Sequence, residues 1–248
     1  MSGRLAWALA VVALFLLAPA ACGKRGSAAP AGTEAGMAPS SVRPVDFALR
    51  GCPGAIEGPP CAIVRAGGKI LVFGAPEGIA GSLEELGIAS PDGVFLFSLH
   101  GSGIEGLMRL RNTTWQAGRD SRLGLVGPDG TEDLAKALES ALSRSDAIIW
   151  TKTPPPGGFD IAPLAPRDVP PGQGARVFDT GDLTVSAVPA GASQIAFNVG
   201  YDGRVLHLSP CDPSGSRAVA ADRHVGCSGE SADLAWPLPQ DDIVLNGG

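Results

Sequence analysis

The side chains in this chain with the chemistry to hold a metal or attack a substrate are few and far apart. There are three histidines, His100, His207 and His224, and five cysteines, Cys22, Cys52, Cys61, Cys211 and Cys227. A catalytic zinc takes three protein ligands and keeps a fourth position open for water. Three scattered histidines do not announce such a set. The four cysteines after Cys22 lack the close spacing of a structural zinc site, which is the lesser reading. In an exported protein an even number of cysteines points instead to disulfides, with three connectivities open. Local pairs, Cys52–Cys61 and Cys211–Cys227, are the simplest of these, because each closes a short loop rich in Gly and Pro. No Gly-x-Ser-x-Gly elbow occurs, so a serine hydrolase of that type has no support. Gly101-Ser102-Gly103 offers a hydroxyl on flexible backbone, suited at most to contacting a small anion. Glu84-Glu85 reads as a solvated helix face, and Glu105 as a first-turn acid favoured by the helix dipole.

The two ends of the chain bound where that chemistry would operate. Arg4 precedes an apolar run from Leu5 to Leu17, and small residues then lead to Cys22. The run is too short to span a bilayer but suits the core of a signal peptide. The expected organisation is a signal peptide over residues 1–21 and a lipidated Cys22 opening a flexible tether over residues 22–44. A domain then fills residues 45–248. The lesser alternative is ordinary cleavage near Ala18-Pro19-Ala20, with Cys22 left as a free thiol. Gly23, rather than an aspartate, follows Cys22, which favours an outer-membrane anchor facing the periplasm in a Gram-negative cell. The tether is Gly, Ala, Ser and Pro with little apolar surface to offset its ordering entropy. The domain is long enough for one sizeable core. Losing Arg4 with the signal moves the formal net charge from −6 to −7. No basic cluster appears, so a nucleic-acid partner is not expected.

The elements that must position these residues alternate in the first half. Strands are expected at Val45–Arg50, Cys61–Ala66 and Lys69–Phe73, the last two joined by a tight Gly67-Gly68 turn. A short helix over Ser82–Leu86 precedes a strand at Val94–Leu99, and a second helix begins over Ile104–Leu110. After a strand at Leu123–Val126, Thr131 is expected to cap a helix carrying Leu134, Leu138 and Leu142 on one face. Residues 153–174 read as an irregular excursion rich in Pro and Gly. Strands follow at Arg176–Phe178, Leu183–Val188, Gln194–Val199 and Arg204–Leu208, with a hairpin turn at Tyr201-Asp202-Gly203, and Ile243–Leu245 ends the domain. His207 falls in one of these strands, in phase with Val205 and Ser209, as a surface or half-buried residue. His224 falls in a polar loop.

Several segments, in order, resemble the metallo-β-lactamase superfamily, and within it the ribonuclease-Z-like branch. Phe97-Ser98-Leu99-His100-Gly101-Ser102-Gly103-Ile104-Glu105-Gly106-Leu107 is similar to the signature Thr-His-x-His-x-Asp-His followed by a helix start x-x-Gly-Leu. His100 matches its second histidine; Ser98, Ser102 and Gly103 stand for the first histidine, the aspartate and the last histidine. Asp46–Gly54 is similar to the opening strand and glycine turn. Lys69–Gly78 is similar to a strand entering an Asp-x-Gly-x-Gly turn, with Gly74 in the place of the aspartate. Trp115-x-x-Gly118-Arg119 and the turn Gly127-Pro128-Asp129-Gly130-Thr131 resemble the approach to the next helix. The likeness is good over residues 46–146, moderate to 213 and weak beyond.

The resemblance implies an α/β fold, the four-layer αββα metallo-β-lactamase-type sandwich, whose metals sit in loops at one edge of the two sheets. It also implies a ligand set that this chain largely lacks. The later histidine would fall near Val188–Ala192, where none stands. Cys211 occupies the place of the bridging aspartate, with Asp212 one residue on. The weak candidates for metal are therefore His100, Cys211, Asp212 and His224, and no catalytic or cofactor-binding residue is expected. The expectation is a lipid-anchored envelope protein that has lost zinc hydrolysis. It would bind an envelope protein or small ligand, or play a structural part. The alternative is a hydrolase with a rearranged, single-metal site, for which Cys211 must be a free thiolate.

Overall fold

The structure, a computed structural model, describes residues 47–52, 58–211, 220–227 and 232–245. All lie within one compact unit, Val42–Gly248. Cys22 and the segments expected as signal and tether lie outside the described residues, as does Asp212. No helix among the described residues is long and apolar enough to cross a membrane.

Two sheets face each other. β1 (Ala48–Gly51), β2 (Ala62–Ala66) and β3 (Lys69–Phe73) form an antiparallel meander. β4 (Gly93–Phe95), β5 (Leu123–Pro128) and β6 (Leu164–Val169) extend it in parallel, and β13 (Ile243–Val244) closes the other edge against β1. Parallel strands reconnect through helices, and these are α1 (Ile79–Glu85), the short α2 (Gly101–Ile104), α3 (Leu107–Gln116) and α4 (Thr131–Lys152). The second sheet runs β12 (Leu234–Ala235), β11 (Arg223–Gly226), β10 (Arg204–Leu208), β9 (Ile195–Tyr201), β8 (Leu183–Pro189), β7 (Ala175–Asp179).

The first sheet is apolar on both faces. Ile63, Val72, Val94 and Leu125 meet Ile79, Leu83, Leu107 and Leu110 of the helices. The alternate residues Val64, Leu71, Phe73 and Phe95 meet Leu183, Val185, Phe197 and Leu206 of the second sheet. Phenylalanines centre the inter-sheet core: Phe73 stacks on Phe95 at 4.9 Å, and Phe197 meets both edge-on at 5.4 and 5.6 Å. These contacts define the mixed α/β, two-sheet sandwich expected from the sequence. Among the described residues its helices all precede β6, and none follows the strands of the second sheet.

Several local expectations are corrected. The helix start at Ile104–Leu110 is two pieces, because Gly106 N–H leaves the helical ladder to donate to Ala75 O at 2.8 Å. The strand expected over Val94–Leu99 stops at Phe95; Phe97 O instead accepts from Ile195 N of β9 at 2.9 Å, crossing to the other sheet. Thr131 does not cap α4. Gly130 precedes it with φ 95°, Thr131 Oγ1 donates to Pro128 O, and the cap comes from afar. Asp168 of β6 accepts from Gly130 N at 3.2 Å and Glu132 N at 2.8 Å, placing a carboxylate at the positive helix end. β6 itself lies in the segment expected to be irregular, paired residue by residue with β5 from Leu123↔Leu164 to Pro128↔Val169.

Under α4 lies a buried ionic cluster. Arg111 is fully buried, and its guanidinium reaches Asp146 at 2.8 and 2.7 Å and Glu139 at 3.3 and 2.6 Å. Desolvation opposes its charge, and the two carboxylates more than offset that, so its pKa stands above the ordinary value. Beside it Arg119, 2% exposed, donates to Arg111 O, to Thr114 Oγ1 and to Ile161 O at 2.6 Å. Burial, and next to it the charge of Arg111, lowers the Arg119 pKa to about 10, still cationic at neutral pH. Breaking a buried pair leaves an uncompensated charge. Asp146→Ala is therefore expected to cost about 3 kcal/mol, read as a lower urea midpoint at unchanged slope, and Glu139→Gln less, since Glu139 is 23% exposed.

Candidate functional site

The edge where the signature segment lies is assembled from loops of both sheets. Gly74 turns out of β3 with φ 81°, and its N–H donates to Phe95 O at 2.7 Å. Ala75 N–H donates to Gly103 O at 3.0 Å, stitching the loop after β3 to the start of α2. The second sheet contributes Gln194 before β9 and Pro210-Cys211 after β10. Together with Gly58, Pro59 and Pro60 these segments enclose a cleft of about 390 Å³.

Among the described residues the polar side chains in that cleft are Ser98, His100, Ser102 and Gln194. His100 is exposed, with Nδ1 3.0 Å from Ser102 Oγ, and its backbone N–H donates to Ser98 Oγ at 3.3 Å. No Asp, Glu, Lys or Arg is among the described residues lining it. Cys211 lines it too, joined to Cys227 with their Cα atoms 5.3 Å apart, and Cys52 is joined to Cys61 at 5.6 Å. A sulfur in a disulfide is not a thiolate and cannot serve as the metal ligand that a rearranged site requires.

His224 is not among the residues lining the cleft. His224 is in β11 rather than in a polar loop, and its partner is His207 of β10, with ring centroids 5.5 Å apart. His207 is only 5% exposed, deeper than a half-buried strand residue. Its Nδ1 lies 2.6 Å from Asn198 Oδ1, and since a carbonyl oxygen only accepts, Nδ1 carries the proton. Asn198 went unnoticed in the sequence, although the hairpin turn that pairs Tyr201 with Arg204 also sets it opposite His207. Burial first, and the neighbouring His224 second, push the His207 pKa down to about 4.

The described residues at this edge do not fit a zinc of the expected kind. Gly74 holds a left-handed conformation, and a Cβ placed on it would penetrate the carbonyl of Pro60. The position that carries an aspartate in the motif is thus closed to any side chain. Among the described residues no group of three or more His, Cys, Asp and Glu is arranged to hold a metal ion.

The architecture and this edge define a metallo-β-lactamase fold. No family model matches the chain. In sequence it is 26% identical over 123 residues to the ribonuclease Z of Clostridioides difficile (strain 630), covering 47% of this chain and 40% of that protein. The chain therefore matches well under half the length of that relative. In structure it superposes on human tRNase Z, short form, with a TM-score of 0.55 and 17% identity, covering 72% of this chain and 76% of the other. The metallo-β-lactamase fold protein YhfI from Bacillus subtilis follows at 0.51 and 13%, covering 73% and 71%. The likeness is to the ribonuclease-Z-like branch, as the motifs suggested.

Two outcomes test this geometry. Gly74→Asp, which restores the motif carboxylate, is expected to lower the melting temperature without creating zinc binding, read by scanning calorimetry with and without the metal. A variant of unchanged stability would show that Pro60 yields. For His207, the unfolded chain takes up the proton near pH 6.5 and the folded chain only near pH 4. Stability present above 6.5 should therefore fall progressively between those values, and His207→Gln should flatten the fall in urea titrations run with chelator.

Proposed function

We propose that this protein is an envelope lipoprotein whose metallo-β-lactamase fold no longer performs zinc-dependent hydrolysis and serves as a binding or structural module. Its working surface is the loop-edge cleft, and its partner is an envelope protein or a small ligand. The observation that carries the reading is Gly74, where the motif aspartate is replaced by a glycine whose Cβ space is filled by the Pro60 carbonyl. Ser98, Ser102 and Gly103 at three other ligand positions, and Cys211 in a disulfide, point the same way. The two disulfides also favour an oxidising compartment, in accord with export and anchoring through Cys22. A net charge of −6 weighs against an RNA substrate, whatever the activity of the similar tRNase Z.

Metal analysis of the purified domain from Val45, loaded with zinc and then desalted, tests this. Retained metal is expected to be well below one ion per chain, with no His100-dependent shift in melting temperature. A tightly retained stoichiometric zinc that is lost in His100→Ala, accompanied by esterase or phosphodiesterase turnover, would establish the rearranged hydrolase instead.

A further inference from the structure

The outer face of the second sheet carries a line of polar residues that the loop-edge reading does not use. Adjacent strands place Arg176, Ser186, Asn198, His207 and His224 side by side in register, one from each of five strands. Leu206 and Leu208 flank His207, Val225 follows His224, and all three point into the inter-sheet core. Alternation therefore sets both imidazoles on the opposite face. We propose that His207 and His224 form a two-histidine site for a borderline first-row divalent cation such as zinc, outside the loop-edge cleft.

Geometry is the first support. A zinc–nitrogen bond is about 2.1 Å, which puts a ring centroid about 3.2 Å from the metal. Two imidazoles on one tetrahedral ion then have centroids about 5.3 Å apart, and these two stand at 5.5 Å. The second support is the hydrogen bond from His207 Nδ1 to Asn198 Oδ1, 2.6 Å long. It fixes the tautomer with the lone pair on Nε2 and holds the ring, the part that carboxylates and carbonyls play behind metal-bound histidines. His224 is half-buried, so the pair is reachable from solvent at that side. With two protein ligands and no carboxylate in the row, water or a ligand from solution completes the coordination, and affinity is moderate rather than tight. That separates this site from the retained zinc that would mark a hydrolase.

The full chain in detergent, carrying no polyhistidine tag, would be titrated calorimetrically with zinc and, in parallel, with cobalt(II) followed by visible absorption. One saturable ion per chain in the micromolar range is expected, with cobalt bands of tetrahedral intensity. Binding should vanish in His224→Ala, weaken about tenfold in Asn198→Leu, which removes the support behind His207, and persist in His100→Ala. Melting curves with chelator establish that each variant is folded. Absence of saturable binding below a millimolar, or binding that survives His224→Ala and a separate His207→Gln, overturns the site. Binding lost only in His100→Ala also overturns it, and tells in addition against a loop edge without metal.

Discussion

The loop edge depends on how closely the backbone after β3 approaches its neighbours. Gly74 N–H to Phe95 O, Ala75 N–H to Gly103 O and Gly106 N–H to Ala75 O form a short stitched seam between the exits of two parallel strands. The seam closes only because Gly74 and Gly106 lack a Cβ; a side chain at Gly106 would run into the Pro76 carbonyl. From it follow the break between α2 and α3, the direction in which α3 lies on the first sheet, and the mouth of the cleft. In a metal-bearing edge, an ion cross-links loops from both sheets. Here the loops are tied by amide–carbonyl bonds and two disulfides, one of which ends in the cleft wall.

The helical layer rests on a different constraint. Arg111 and Arg119 would be intolerable in the interior unpaired, yet both are buried and hydrogen-bonded at nearly every donor. Arg119 collects carbonyls from residues 161–162, and Trp115 Nε1 donates to Gly158 O at 2.8 Å. These bonds pin the Pro/Gly segment that leads into β6. β6 then returns Asp168 to the N-terminus of α4. Helix, excursion and edge strand are thus coupled through two guanidinium groups and one carboxylate.

This coupling explains what was legible in the sequence and what was not. The apolar run Lys69–Phe73, the period-2 run Leu183–Val188 and the glycine turns at Gly67-Gly68 and Asp202-Gly203 are local signals, and they mark the strands they should. The family signature located the loop edge and its missing ligands. β6 was hidden because its Pro166, Arg167 and Asp168 look like a loop, and its strand character comes from pairing with β5 and from duties to α4. The cap of α4 was misplaced for the same reason, since Asp168 lies 36 residues from Glu132 in the chain. β11 was hidden by its parallel pairing with β10 across an intervening segment, a contact with no local sequence signature. His224 therefore read as a loop residue, while the Asn198–His207 pair, set by a hairpin, could have been found by counting from the turn.

The two sheets differ in what their outer faces must do, and the polar residues follow that difference. The first sheet buries both faces, so its interior strands admit only apolar side chains at Ile63, Val72, Val94 and Leu125. The second sheet owes only one face to the core, and alternation frees the other for Ser186, Asn198, His207 and His224. A buried imidazole there is tolerated only if neutral and hydrogen-bonded, since burying a charge without a partner costs far more than burying a satisfied dipole. Asn198 meets that condition for Nδ1 of His207, and the neighbouring imidazole reinforces neutrality by making a second positive charge unfavourable. The arrangement that makes His207 acceptable to the fold is thus a neutral ring whose Nδ1 proton is satisfied by Asn198.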